Sequence, residues 1–308
     1  MASPAELTAE MPPQVHSAAD AYRLGEPLAD QHGHITSADN TRLFYRHWPA
    51  MGLSARRAVI VLHGIGYHSG PYKVIADALN PQGIDVYGLD ARGHGLSCGP
   101  RGFVGTPAEA QEDVAALARF VRKQQPLAKI FLLGDSMGCN YALNHARDHD
   151  NQLAGLILLA PAFYLNFRQL LRLESLLLLP YFLFAHRRPV IDLLGHRLDE
   201  SSLDHEWIAE RRADALAYKK VSFGYLLDIQ RLIVGWRRSI APRVHAPILM
   251  IKGEEDHIVS QRDCEIFHRI SVSRDKQFDF LPAVRHTTLW DPQAPKILQR
   301  IASWIAKR

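Results

Sequence analysis

The chain alternates between short apolar runs and longer segments in which apolar residues recur at helical spacing. Seven runs predict strands, and several of them are apolar throughout, as is typical of parallel strands covered by helices on both faces. The predicted strands are residues 43–48, 58–62, 84–89, 130–133, 153–160, 248–251 and 278–281. This alternation favours an α/β fold class with a mostly parallel, doubly wound sheet.

Two of the predicted helices have clear start signals. Thr106 and Glu109 form a capping box, with Pro107 at the first helical position. Near the end of the chain, Asp291 and Pro292 precede apolar residues at helical spacing. We expect this last helix to dock on the sheet.

The strand alternation stops over residues 162–246, which are helical in tendency and contain no run typical of a buried strand. The predicted organisation is an N-terminal extension (1–31), a core made of residues 32–161 and 247–308, and a helical lid inserted between its two parts. The apolar stretch inside the lid is shorter than the roughly 20 residues of a membrane-spanning helix. No transmembrane segment is expected.

Amino-acid composition and net charge exclude several classes of protein. The chain has 308 residues, 47% hydrophobic and 22% charged, which is typical of a globular protein and excludes a disordered one. Its net charge is +4, and the 13 basic and 9 acidic residues of the lid already account for it, so nucleic acid is not an expected partner. Three cysteines without metal-binding spacing predict neither a disulfide framework nor a metal site. The N-terminus lacks the pattern of a secretory signal, so a cytoplasmic location is expected.

The strongest chemical motif is a GxSxG sequence centred on Ser136. Gly134 and Gly138 flank it, an apolar run precedes it and a helix-compatible stretch, 139–147, follows it. A serine on such a strand–turn–helix junction projects its hydroxyl above the sheet edge. Ser136 is therefore the predicted nucleophile, and the alternative is an ordinary turn serine.

A serine nucleophile needs a base, and the base needs an orienting acid. Asp256 follows the strand at 248–251 and is the predicted acid, with Glu255 beside it as the competitor. His286 follows the last predicted strand and is the predicted base. The order Ser, Asp, His along the chain is the one found with this kind of serine motif.

A tetrahedral intermediate also needs hydrogen-bond donors for its oxyanion. The backbone N–H of Met137, next to the nucleophile, is one predicted donor, and the N–H of Ile65 is the other. Ile65 lies in a loop after an early strand, where His63 and Gly64 are candidate substrate-contacting residues. A phosphate-binding loop is the alternative, but the lysine of such loops is missing.

The separate motifs LHGIGYHSGPY, DARGHGLSCGPRG, GDSMG and GEEDHIV, followed by His286, together resemble the α/β-hydrolase fold. Within that fold they resemble the monoacylglycerol lipase and lysophospholipase group of serine hydrolases, over residues 32–308. The resemblance implies that Ser136 is the nucleophile, Asp256 the acid and His286 the base. It implies no metal and no organic cofactor.

Three residues depart from the pattern of that group. Tyr67 stands where glutamate is frequent, Asp135 where histidine is common, and Thr287 where glutamate is frequent. These departures affect what can be concluded about the substrate.

The lid contains an unusually apolar segment that includes Leu178 and Phe182, followed by basic residues 187–188. We expect Leu178 and Phe182 to contact substrate. An apolar surface bordered by basic residues can also contact a membrane peripherally, and packing onto the core or lining an acyl pocket is the alternative. Both interpretations favour an apolar acyl substrate.

The sequence thus predicts a serine hydrolase that cleaves the carboxylic ester of a lipid-like substrate, a monoacylglycerol or a lysophospholipid, through an acyl-enzyme. A thioesterase or acyltransferase with the same triad is the first alternative, because the triad defines neither the leaving group nor the acceptor. A non-catalytic binding protein on the same scaffold is the second.

Overall fold

The computed structural model describes residues 31–52, 56–164, 189, 191–192, 195–218 and 220–308. The strands are β1 (Gln31–Thr36), β2 (Arg42–Trp48), β3 (Arg57–Leu62), β4 (Ile84–Leu89), β5 (Lys129–Asp135), β6 (Gly155–Leu159), β7 (Ile191–Asp192), β8 (Lys220–Val221), β9 (Ile248–Gly253) and β10 (Lys276–Leu281). The helices are α1 (Lys73–Leu79), α2 (Pro107–Gln124), α3 (Gly138–His149), α4 (Gly195–Ser201), α5 (His205–Ala213), α6 (Phe223–Ile233), α7 (Gln261–Ile270) and α8 (Ala294–Ala306).

Eight strands form one sheet in the order β1-β2-β4-β3-β5-β6-β9-β10. Strand β2 runs antiparallel to both β1 and β4, and the remaining pairs are parallel. The predicted mostly parallel, doubly wound sheet is therefore confirmed. The carboxyl ends of β3, β5 and β9 lie along one edge, which brings the loops that follow them together.

The central strands are apolar throughout because their alternate side chains enter two different cores. In β3, Ile60 and Leu62 pack in the core that also receives residues of α2, α3 and α6. Val59 and Val61 point to the other face and pack with residues of α1 and α8. A strand buried on both faces loses the alternation of polar and apolar residues that marks an exposed strand.

Two differences from the sequence prediction concern a strand that was missed and the start of the last helix. Strand β1 was not predicted, because as an antiparallel edge strand it buries only Ile35 and so has little apolar pattern. Helix α8 begins at Ala294 rather than directly after Asp291, whose side chain instead accepts the backbone N–H of Gln293 in the preceding turn (2.9 Å). The capping box of Thr106 and Glu109 at α2 is confirmed.

Between β6 and β9 the chain forms α4, α5 and α6, which we call the cap helices. The two-residue strands β7 and β8 pair within the same stretch, a feature that the sequence did not predict. The predicted substrate-contacting residues Leu178 and Phe182 lie outside the described residues, as does the extension up to residue 30. Within the described ranges, no helix combines the length and the apolar character that crossing a membrane requires.

Candidate active site

Ser136 occupies a sharp turn between β5 and α3, with a φ of 52° that side-chain-bearing residues rarely adopt. The flanking glycines are required by space. A Cβ on Gly134 would lie 2.5 Å from the backbone of Cys139, and one on Gly138 would lie 1.9 Å from the carbonyl oxygen of Leu62. The GxSxG sequence therefore lets α3 pack closely against the sheet while the serine is held on the turn.

Three predicted site residues meet at the edge of the sheet. His286 Nε2 lies 3.0 Å from Ser136 Oγ, and His286 Nδ1 lies 2.9 Å from Asp256 Oδ2. The other carboxylate oxygen of Asp256 accepts the backbone N–H groups of Ile258 (2.9 Å) and Val259 (3.2 Å). The competitor Glu255 is exposed, so the structure brings Asp256 and not Glu255 to the histidine.

The Asp256 carboxylate and the protonated form of His286 stabilise each other. Burial raises the pKa of the Asp256 carboxyl, but the charge and hydrogen bond of His286 outweigh it and hold the pKa below its usual value. Burial lowers the pKa of His286, but the charge and hydrogen bond of Asp256 outweigh it and raise the pKa above its usual value. The pair thus favours an ionised Asp256 and a basic His286.

Lys252 stabilises the loop that carries Asp256, a role that sequence reasoning missed. Its side chain is buried, and its ammonium donates to the carbonyl oxygens of Gly253 (2.9 Å) and Asp256 (3.0 Å). The same nitrogen lies 3.9 Å from Asp256 Oδ2. A lysine inside an apolar strand is the only sequence signal that could have indicated this role.

Ile65 and Met137, whose backbone N–H groups are the two predicted oxyanion donors, both line the same cavity as Ser136. Met137 lies at the start of α3, and Ile65 lies in the loop that follows β3. Among the described residues, neither backbone N–H donates a hydrogen bond to a protein acceptor. Both amides are therefore available to an oxygen bound beside Ser136, and the positive end of α3 adds to their effect.

The loop of residues 63–66 is held by a chain of hydrogen bonds through Tyr72. The Gly64 N–H donates to Tyr72 Oη (3.0 Å), and the Tyr72 hydroxyl donates to Asp135 Oδ2 (2.5 Å). Burial raises the pKa of Asp135, although the Tyr72 hydrogen bond acts in the opposite direction. The residue that precedes Ser136 is thereby linked to the loop that contains Ile65, the second predicted oxyanion donor.

A second chain of hydrogen bonds holds the same loop from the cap side. The Gly66 N–H donates to Tyr225 Oη on α6 (3.1 Å), and Tyr225 lies 2.9 Å from His94 Nε2. Burial lowers the pKa of His94 far enough to keep the ring neutral. Since His94 Nδ1 donates to the Arg92 carbonyl (2.9 Å), its Nε2 accepts the Tyr225 proton.

His63, a candidate substrate-contacting residue, braces the loop instead. Its Nδ1 donates to the Gly64 carbonyl (2.8 Å) and its Nε2 accepts the Ala91 N–H (3.0 Å). Burial lowers the pKa of His63 to about 4, which keeps this neutral arrangement in place. Both ring nitrogens of His63 are hydrogen-bonded beneath the loop, and His63 is not among the described residues that line the cavity. The other candidate, Gly64, does line it.

The cavity beside Ser136 has a volume of about 140 Å³, and the described residues that line it include two chemically different sets, which we call the aliphatic wall and the aromatic wall. The aliphatic wall consists of Met137, Ala162, Ile229, Ile258 and Val259. The aromatic wall consists of Tyr67, Tyr72, Trp207 and Trp290, whose rings contact one another, together with Arg211. Sequence reasoning missed the aromatic wall, because its members come from three separate segments of the chain.

Known proteins resemble this chain over most of its length. The family model Hydrolase_4, described as "Serine aminopeptidase, S33", matches residues 54–293. The chain is 28% identical over 279 residues to "Uncharacterized protein YnbC" of Escherichia coli (strain K12), covering 89% of this chain but only 46% of that protein. It is 25% identical over 268 residues to "Monoacylglycerol lipase" of Mycolicibacterium smegmatis, covering 86% of this chain and 92% of that protein.

A solved structure shares the fold. It is a soluble variant of monoglyceride lipase from Saccharomyces cerevisiae in complex with a substrate analog, 21% identical, and it superposes with a TM-score of 0.73. The likeness covers 97% of this chain and 99% of that one. With the mostly parallel sheet, the serine turn and a family model that matches more than half of the sequence, the chain belongs to the serine aminopeptidase (S33) family of α/β-hydrolases.

Proposed function

We propose that this protein hydrolyses the carboxylic ester of a lipid-like substrate, a monoacylglycerol or a lysophospholipid. The observation that carries the proposal is the hydrogen-bonded chain from Ser136 through His286 to Asp256, which opens into a cavity with an aliphatic wall. Such a chain supplies nucleophile, base and orienting acid in one place. An acyl chain fits the aliphatic wall, because burying apolar surface there is favourable.

In the proposed reaction, Ser136 Oγ attacks the ester carbonyl carbon while His286 Nε2 takes the hydroxyl proton. The resulting oxyanion accepts the N–H groups of Ile65 and Met137. His286 then gives its proton to the leaving alcohol oxygen as the carbon–oxygen bond breaks, which leaves an acyl-enzyme. Water attacks this ester with His286 again as base, and release of the carboxylic acid restores Ser136.

The names of the relatives support a lipid ester. The Mycolicibacterium smegmatis relative is named a monoacylglycerol lipase, and two mammalian relatives are named monoglyceride lipases. The apolar lid segment around Leu178 and Phe182 fits the same substrate class, and its contact with a membrane surface stays part of the proposal. The triad itself permits a thioester or an alcohol acceptor as well, so product analysis belongs to the test.

The family name also raises aminopeptidase activity, but the cavity argues against it. An aminopeptidase binds the positively charged amino terminus of a peptide next to the bond that it cleaves. Among the described residues that line the cavity, the only carboxylate is that of Asp135, and it already accepts the Tyr72 hydroxyl. The only lysine or arginine among them is Arg211, which carries the same charge as an amino terminus. A second cation in this small cavity would be repelled by Arg211.

The test compares hydrolysis of p-nitrophenyl esters from acetyl to palmitoyl by the wild type and by Ser136→Ala. We expect activity that peaks at medium or long chains and that is lost in the variant, with the fold of both proteins checked by circular dichroism. A fluorophosphonate probe should label the wild type at Ser136 and leave the variant unlabelled. Equal hydrolysis by both proteins would refute the assignment of Ser136, and a peak at acetyl would refute the lipid substrate.

A further inference from the structure

Arg211, on cap helix α5, is buried in the aromatic wall and lacks a full set of partners. Its side chain is only 6% exposed. One guanidinium nitrogen, Nη2, donates to the Gly66 carbonyl (2.8 Å), and the guanidinium lies 3.8 Å from the centre of the Tyr67 ring. The other nitrogen, Nη1, is buried and has no hydrogen-bond acceptor among the described residues.

A buried cation in this state is costly, because its charge is removed from water and one of its donors stays unpaired. No carboxylate of the described residues lies within ion-pair distance of Arg211. Its neighbour Asp214 is already occupied, since it accepts His68 Nε2 (2.8 Å) and the backbone N–H groups of Leu216 (2.8 Å) and Ala217 (3.2 Å). Asp214 still acts on Arg211 through its charge, but Arg211 Nη1 has no acceptor among the described residues and is left for a group that enters the cavity.

Trp207 supplies a second donor on the same face of α5, because residues four apart in a helix lie one above the other. Its indole N–H is buried and makes no hydrogen bond of normal geometry within the described part of the chain, although the Tyr67 hydroxyl is near. Trp207 and Arg211 both line the cavity that contains Ser136. Arg211 Nη1, a buried donor without an acceptor among the described residues, and the Trp207 N–H beside the same cavity favour a ligand that accepts hydrogen bonds.

The position of Arg211 relative to the proposed oxyanion donor defines which part of the substrate reaches it. Arg211 binds the carbonyl of Gly66, and Gly66 directly follows Ile65. Arg211 is therefore attached to the same loop as the proposed oxyanion donor, at the next residue along the chain. The aliphatic wall takes the acyl chain, and the aromatic wall with Arg211 is left for the alcohol.

We propose that Arg211, with Trp207, forms an anion subsite for the alcohol part of the substrate, so that the preferred ester carries a phosphate on a short alcohol such as glycerol. This inference rests on the proposed function, since it assigns the alcohol side of the same cavity. It selects the anionic lysophospholipids from the two substrate classes proposed above. A guanidinium presents two parallel N–H groups that suit phosphate oxygens.

The activity test compares kcat/KM for 1-decanoylglycerol 3-phosphate and for 1-decanoylglycerol, both below the concentrations at which they form micelles. We expect the wild type to prefer the phosphorylated ester and Arg211→Gln to reduce that preference by roughly tenfold to a hundredfold, the value of a charge-assisted hydrogen bond. Arg211→Lys should retain part of the preference because it keeps the charge.

The matched control is Arg212→Gln, which makes the same charge change one residue along α5. The Arg212 side chain is 52% exposed and pairs with Asp199 at the surface. It should leave the preference unchanged. If Arg211→Gln slows both substrates equally, Arg211 only braces the Gly66 loop and the proposal is wrong. If Arg212→Gln has the same effect as Arg211→Gln, the effect is one of overall charge and the proposal is also wrong.

A binding measurement separates this inference from the proposed function. Calorimetry on Ser136→Ala compares 1-O-decylglycerol 3-phosphate with 1-O-decylglycerol, ether analogues that cannot be hydrolysed. Tighter binding of the phosphate analogue, lost when Arg211→Gln is added, supports the subsite even if no ester is cleaved. Equal affinity for the two analogues overturns the subsite even if esters are cleaved. Because comparing the two analogues on Ser136→Ala needs no Arg211 variant, equal affinity overturns the subsite even where such a variant fails to fold.

Discussion

At the residue scale, the three departures from the lipase-group pattern each have a defined contact. Tyr67 stacks beneath the Arg211 guanidinium, and Asp135 accepts the Tyr72 hydroxyl. Thr287 donates its backbone N–H (3.0 Å) and its hydroxyl (2.9 Å) to the carbonyl of Ser201. These residues therefore shape the loops around the triad rather than interrupting it.

The raised pKa of His286 predicts a shifted pH profile. As a base His286 must be neutral, so activity is low at acidic pH and rises as the histidine loses its proton. Because Asp256 raises the pKa of His286, we expect the acid limb of kcat/KM to have its midpoint above pH 6.5, the ordinary value of histidine. Measuring initial rates with a soluble ester from pH 5 to 9 tests this, and a midpoint below 6.5 would contradict it.

Asp256→Asn provides the matched comparison, since it removes the charge that raises the pKa and leaves burial to lower it. We expect kcat to fall by about 10⁴, as for the equivalent change in other triads. The midpoint of the residual activity should move to lower pH. A variant with an unchanged midpoint would show that Asp256 does not set the pKa of His286.

Tyr72→Phe should impair both stability and rate. The change leaves the buried Gly64 N–H without its acceptor and Asp135 without its donor, which costs about 1 to 3 kcal/mol of unfolding free energy. Because the same loop presents the Ile65 donor, we expect kcat to fall by roughly tenfold to a hundredfold. Urea unfolding and steady-state kinetics measure the two effects.

Tyr141→Phe is the control for the loss of a buried hydroxyl. The Tyr141 hydroxyl is buried and has no partner among the described residues, so its removal should leave stability unchanged or slightly higher. A Tyr72→Phe variant that behaves like Tyr141→Phe would show that the hydrogen bonds of Tyr72 do not hold the loop.

The meeting of Ser136, Asp256 and His286 could be predicted from the sequence because each follows a strand whose apolar run is easy to identify. The supporting residues could not. Lys252, Tyr72 and Arg211 become neighbours of the site only through tertiary packing, and no short motif joins them. His63 was assigned to substrate because it stands beside Gly64, whereas its ring lies beneath the loop.

At the element scale, the turn between β5 and α3 depends on steric space more than on backbone freedom. Gly138 has no unusual φ, yet a Cβ there would overlap the carbonyl of Leu62. Gly83 is the opposite case, with a φ of 73° and nothing within 4 Å of an added Cβ. The two glycines separate the cost of a clash from the cost of a strained backbone.

Gly138→Ala should therefore lower the unfolding free energy by at least about 3 kcal/mol, since overpacking at backbone cannot be relieved by a side-chain movement. It should also abolish activity by shifting Ser136. Gly83→Ala should cost about 1 to 2 kcal/mol, the strain of a left-handed conformation, and leave kcat unchanged. Equal losses of stability in the two variants would contradict the steric explanation.

The strands of the sheet centre were predicted to within two residues at each end, because burial on both faces demands uninterrupted apolar runs. The elements that were missed bury little: β1 buries Ile35 alone, and β7 and β8 are each only two residues long. Their pairing is set by neighbouring elements rather than by their own sequence.

At the scale of the whole molecule, Asp90 joins three separate parts of the fold. Its carboxylate accepts Arg46 from β2 (2.9 Å), the backbone N–H of Ser69 from the loop after β3 (2.7 Å) and the N–H of Leu96 (2.9 Å). Burial raises the pKa of Asp90, but the charges of Arg46, His68 and His63 and the hydrogen bond from Leu96 outweigh it and lower the pKa well below its usual value.

A carboxyl whose pKa is depressed in the folded state stabilises the protein above its unfolded pKa, and that stability is lost as the pH falls. Asp90→Asn should therefore cost about 3 to 5 kcal/mol at pH 7, where Arg46 loses its charged partner. The difference from the wild type should shrink as the pH falls below the ordinary value of 3.8. Urea unfolding of both proteins from pH 7 to 3 measures it, and a constant difference would contradict the argument.

The cap helices contact two loops of the candidate site, one through a backbone carbonyl and the other through a side chain. The last carbonyl of α4, from Ser201, accepts Thr287 beside the histidine, and Arg211 of α5 binds Gly66 beside Ile65. The cap helices thus hold two loops of the candidate site in place and also line its cavity. Grafting the cap of a relative onto this core to change substrate choice would also alter turnover, unless the graft reproduced these two attachments.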